Sequence, residues 1–138
     1  MSTANAPYVQ ALAAIAAGRV QYGATHPDRD RREYTRATRD GATHSPRHSY
    51  LLDGKAVSAR KLPIYERLTS LNLVRVRYDT VAHHKVPERR VTVPTAAGTT
   101  TRIMPARREP TDPGWRCAVE LAPAGRDTLD AAARLEAC

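Results

Sequence analysis

YERLTSLNLVRV, Tyr65 to Val76, changes its hydrophobic period in the middle. Upstream and into it, Val57, Ile64, Leu68 and Leu71 recur at spacings of 7, 4 and 3, which at about 100° per residue gathers them into one stripe. The spacing predicts a helix over Val57–Leu71 with that stripe buried. Pro63 would lose a hydrogen bond and clash with the preceding turn in a helix interior, so the regular helix begins near Leu62 or is kinked there. Downstream, Leu73, Arg75 and Arg77 alternate with Val74, Val76 and Tyr78, the period of a strand with one wet, basic face. Asn72 stands between the two periods, where helices commonly end in the left-handed conformation that Asn tolerates better than most residues. A stop on Asn72 lets Leu71 close the helical stripe while Leu73 and Val74 start a strand over the same core.

Working outward, Pro7, Tyr8, Leu12 and Ile15 among alanines predict a first helix closed by Gly18, followed by a strand over Arg19–Tyr22. Gly23 to Ser49 is polar and carries Arg29, Arg31, Arg32, Arg36, Arg39 and Arg47; mobility is expected, with one or two helical turns in Pro27–Thr38. SYLLDG, Ser49 to Gly54, reads as a strand ended by an Asp-Gly turn and able to pair with Arg19–Tyr22. Beyond the opening stretch, RRVTVP and TTTRIM flank Thr95–Gly98 and suggest a hairpin. Trp115–Leu121 reads as a strand, and Pro123–Glu136, with Leu129 and Leu135 among alanines, as a terminal helix.

The 138 residues suit one folding unit, taken here as a single domain over residues 1–138 with a basic insertion at 24–48 and an extended hairpin at 80–114. No run of about 18 apolar residues occurs and MSTANAPYVQ lacks the charged and apolar regions of a secretory signal, so a soluble, cytoplasmic protein is expected, with no membrane partner. Two cysteines, Cys117 in a strand and Cys138 at the end, make neither a disulfide framework nor a metal-ligand spacing; Cys138 is read as an idle thiol. Lys and Arg number 22 against 14 Asp and Glu, a net charge of +8 that favours a polyanionic partner. The bland reading of the same arginines is a solvated loop in a chain with a coding bias toward Arg.

Enzymatic motifs are missing: there is no nucleophile motif, no phosphate-cradling glycine loop and no paired general acid and base. Asp28, Asp30 and Glu33 lie among arginines, as an ion-paired surface would, while His44, His48, His83 and His84 lack partners at ligand spacing. No catalytic residue, metal or cofactor is expected. Trp115 and Tyr78 are expected to pack on the strands, with base stacking as the alternative.

Two segments carry a family resemblance: Leu68-Thr-Ser-Leu-Asn-Leu-Val74, then Leu121-Ala-Pro-Ala-Gly-Arg-Asp-Thr-Leu129, joined by a basic hairpin. In that order they resemble a winged-helix DNA-binding domain of the MarR-like kind, whose recognition helix ends in Leu-x-x-x-Gly-Leu-Val and whose return strand runs into Leu-Thr-x-x-Gly-x-x-x-Leu. The resemblance covers Val57 to Leu135 and implies an α+β winged helix with a small antiparallel sheet, a long basic wing and flanking N- and C-terminal helices. The family places a further helix ahead of the recognition helix, for which only residues 24–48 are available here.

The same resemblance implies a bacterial homodimeric transcriptional regulator, of the sort that phages, plasmids and other mobile elements encode. It would bind double-stranded DNA and pair through its first and last helices. From the helix, Ser58, Arg60, Lys61, Arg67 and Thr69 would face DNA, since Leu62, Pro63 and Glu66 on the exposed side are poor base readers. Phosphates would be met by Arg29, Arg31, Arg32 and Arg36 in the insertion and by Lys85, Arg89, Arg90, Arg102, Arg107 and Arg108 in the wing. The alternative is a protein-protein interaction module on the same scaffold, without sequence-specific DNA binding, using exposed Leu62 and Pro63.

Overall fold

A computed structural model describes residues 5–42 and 44–136. Along the chain run α1 (Ala6–Ala16), β1 (Val20–Ala24), α2 (Pro27–Arg39), β2 (His48–Leu52), β3 (Lys55–Ala56), α3 (Leu62–Ser70) and β4 (Val74–Val76). A 3-10 turn at Tyr78–Thr80 leads into β5 (His83–Val86), β6 (Arg89–Thr95), β7 (Gly98–Met104) and β8 (Arg107–Pro110), then β9 (Arg116–Leu121) and α4 (Pro123–Glu136). The α+β class expected from the sequence is the class observed.

Five strands form an antiparallel sheet in the order β3-β2-β1-β9-β4. Tyr22 lies opposite Tyr50 on one side and Cys117 on the other, while Val76 pairs with Val119. Because side chains alternate along a strand, Val20, Tyr50, Cys117, Val119, Val74 and Val76 reach one face, where α1 (Leu12, Ile15), α3 (Tyr65, Leu68) and α4 (Leu129) close the core. The alanines of α1 let it approach α3 and α4 closely, and burial pushes the Cys117 thiol pKa up. Cys138 lies outside the described residues.

The helix ends follow one rule. Asn72 has φ 58°, its N–H donates to the Thr69 carbonyl and that of Leu73 to the Leu68 carbonyl, the paired bonds of a Schellman cap. Gly18 and Gly41 close α1 and α2 the same way. Pro63 falls in the first turn of α3, where its missing N–H costs nothing, so the helix starts at Leu62 instead of kinking.

Three expectations change. Residues 27–39, expected to hold one or two helical turns in a mobile segment, form a complete helix held by charge and not by an apolar face: Asp28 and Asp30 in the first turn and Arg36 and Arg39 in the last complement the helix dipole. Leu71 is 50% exposed, and Tyr65 takes its place in the buried stripe, because the C-terminal cap turns Leu71 away from the sheet. Leu62 packs partly against the core, leaving Pro63 as the exposed member of that pair.

The hairpin arm is longer than its central ribbon. Beyond β6 and β7, β5 pairs with β8 so that Lys85 faces Arg108, and the two ribbons are separated at Pro87 and Pro105, whose missing N–H groups interrupt the ladder on both sides. Among the described residues no helix is long and apolar enough to cross a membrane.

Candidate nucleic-acid interface

The basic insertion and the hairpin arm meet in space. The Arg31 guanidinium donates two hydrogen bonds of 2.9 Å to the Asp112 carboxylate at the base of the arm and a third, of 2.8 Å, to Asp28. Tyr34 donates to Glu109, Arg89 to the Thr38 carbonyl, and Arg102 to the Gly41 carbonyl at 3.2 Å. At Gly41 a β-carbon would lie 2.7 Å from Val91, so the arm closes directly over the end of α2. Arg31 holds the Asp112 carboxyl below the usual range; at Glu109 burial pushes upward, but hydrogen bonds from Tyr34 and Arg107 win and hold it low.

These contacts sort the sequence-predicted arginines into two sets. Arg31 and Arg107 are neutralised by carboxylates, Arg29 lies 3.8 Å from Glu33, and Arg89 and Arg102 spend a donor each on backbone carbonyls. Arg32 and Arg36 are exposed with no ion pair among the described residues, as are Lys85, Arg90 and Arg108. On α2, Arg29, Arg32, Arg36 and Arg39 recur at spacings of 3, 4 and 3, one outward stripe opposite buried Asp30. Arg39, 3.5 Å from Asp40, belongs to that stripe although it was not among the expected site residues; the helical spacing of the arginines themselves was the available signal.

Strand alternation sorts the arm likewise. Glu109, which touches Tyr34 of α2, shares its face with Arg107, so Lys85 and Arg108 face away from α2. Val91, against Gly41, shares a face with Arg89 and Arg102, which puts Arg90 on the outer side. The arm therefore presents its own basic surface, separate from the α2 stripe.

Residues expected to read bases from α3 are dispersed. Ser58 accepts the Lys61 and Leu62 N–H groups in the turn ahead of α3, where Arg60 and Lys61 are exposed. Arg67 lines a groove between α1 and α4. The Thr69 hydroxyl is occupied, donating to the Tyr65 carbonyl and bonded to the Tyr50 hydroxyl at 2.5 Å. Trp115 and Tyr78 sit in an aromatic cluster with Tyr22 and His48, where Trp115 packs 4.6 Å from the His48 ring. Helix α1, not α2, lies against α3.

The groove beside Arg67 is apolar, about 530 Å³, and lined by Tyr8, Leu12, Leu71, Leu73, Ala132 and Leu135 among others. On the inner side of α2, Asp30 and Glu33 approach His44, a grouping that joins two clusters kept apart in the sequence reading. No family model matches the chain, and no curated protein or solved structure is significantly similar to it.

Proposed function

We propose that the chain is a bacterial DNA-binding protein, acting as a homodimeric transcriptional regulator built on a winged-helix-like scaffold. The observation that carries this reading is the division of the arginines. Arg32, Arg36, Lys85, Arg90 and Arg108 have no ion pair among the described residues and stand on two elements that the paired Arg31 and Arg107 help to hold in place, and a polyanion contact needs such free cations on a fixed frame. The exposed turn leading into α3, with Arg60 and Lys61 beside the helix N-terminus, offers a further contact. Leu71 and Leu135, exposed on the α1–α4 groove, support pairing of two copies through those helices.

The test is the salt dependence of duplex binding. Each phosphate contact contributes roughly 0.9 to the slope of log affinity against log salt. Arg32→Ala with Arg36→Ala should flatten the slope by about 2, and Lys85→Ala, Arg90→Ala and Arg108→Ala by about 3. Absence of binding to any duplex at low salt removes this reading and leaves the protein-protein module, whose expected surface is Leu62 and Pro63.

A further inference from the structure

We propose that Asp30, Glu33 and His44 form a binding site for one divalent transition-metal ion of zinc-like preference. Three observations place it. The three residues each offer a ligand atom, and these atoms all lie within 4.8 Å of one another. Ligands of a tetrahedral zinc site lie about 3.4 Å apart, and Glu33 Oε2, which faces Nδ1, has to swing to the Nε2 side beside Asp30 Oδ1 to complete the set. Asp30 is 3% exposed on a helix whose other side is arginine, a costly place for a carboxylate, and its Oδ2 is buried without a hydrogen-bond partner. His44 is bracketed by acids: Nε2 lies 3.0 Å from Asp30 Oδ1 and Nδ1 3.7 Å from Glu33 Oε2.

One imidazole and two carboxylates suit a borderline cation better than calcium or magnesium, which take oxygen ligands alone. The two carboxylates balance the ion's charge and leave the site neutral beside Arg29, which reaches Glu33 at 3.8 Å. Glu33 is exposed, so the ion keeps an open side for water. Asp30 and Glu33 stand one helical turn apart on α2 and His44 lies in the segment between α2 and β2, so the ion ties that segment to the inner face of α2. His48, further along the same segment, also holds a buried, unpartnered Nε2 and feels the charge of Asp30.

Zinc titration of the chelator-treated full chain by calorimetry tests the site, with cobalt as a spectroscopic probe of the same position. One saturable equivalent is expected, with a raised melting temperature and, for cobalt, visible absorption that zinc abolishes. Glu33→Gln, at an exposed position that leaves the fold intact, should weaken binding at least tenfold; Asp30→Asn and His44→Ala should remove it. Lack of saturable binding overturns the proposal, as does one-to-one binding undiminished in Glu33→Gln and His44→Ala, which would put the ion elsewhere. No nucleic acid enters the titration, so the site stands or falls separately from DNA binding.

Discussion

The Leu73 carbonyl oxygen lies so close to Gly125 that a β-carbon on Gly125 would be 1.9 Å away from it. The same carbonyl accepts the Ala122 N–H at 3.0 Å, so the junction between α3 and β4 is fastened to the start of α4. Two segments far apart in the chain are thereby set against each other, backbone to backbone. Gly125→Ala should cost about 2 kcal/mol or more, because the obstacle is main chain and cannot rotate aside. Urea unfolding monitored by circular dichroism measures it; a loss under half that size would mean the contact is looser than stated.

Asn72 carries the cap of α3 at φ 58°. Asn72→Gly should be neutral or slightly stabilising, Asn72→Ala should cost about 1 kcal/mol, and a β-branched Asn72→Val more, following the steric cost of the left-handed region. The order of the three urea midpoints is the check.

Arg31 and Arg32 are neighbours with opposite duties, one bound to Asp112 and Asp28 and the other exposed. Arg31→Ala should lower the melting temperature and loosen α2 from the arm. Arg32→Ala should leave the melting temperature unchanged and, on the proposed function, weaken duplex binding. Hydrogen exchange of the α2 amides separates the two: faster in the first variant, unchanged in the second.

Acid should destabilise the protein in two windows. Burial lowers the His48 pKa in the folded chain, with Asp30 opposing it, so below the ordinary value of 6.5 the unfolded chain binds a proton the folded one resists, and stability falls as pH drops from there. Asp112 has its folded pKa lowered beneath 3.8 by Arg31; its stabilisation is present above 3.8 and disappears as pH falls through the lower folded value. Urea midpoints at pH 7.5 and 5.5 should differ in the wild type and differ less in His48→Phe, while Asp112→Asn should lower the midpoint at both of these pH values and lessen the further fall below pH 4.

Leu135 is 63% exposed at the edge of the apolar groove. If two copies pair there, Leu135→Asp should shift light-scattering mass from twice the chain's 15.2 kDa to a single chain without changing its circular dichroism. Equal masses for wild type and variant would count against the groove as the contact.

Local chemistry alone determined much of this protein. The stop on Asn72, the strands around SYLLDG and WRCAVEL, the hairpin about Thr95–Gly98 and the terminal helix at Pro123–Glu136 all follow from period, turn chemistry and caps, which act over a few residues. The α2 helix was legible only as one or two turns in Pro27–Thr38, because its order comes from charges at its ends and from partners at Asp112 and Glu109, not from an apolar stripe. Exposure of Leu71 was likewise decided by where its cap points after α3 meets the sheet. Among the candidate contacts, a sequence shows which residues are arginine but not which are already neutralised; pairing Arg31 with Asp112, 81 residues away, and bringing His44 to Asp30 are acts of the tertiary fold. Periodicity is short-ranged and legible along the chain, whereas electrostatic pairing depends on distances that exist only once the chain has folded.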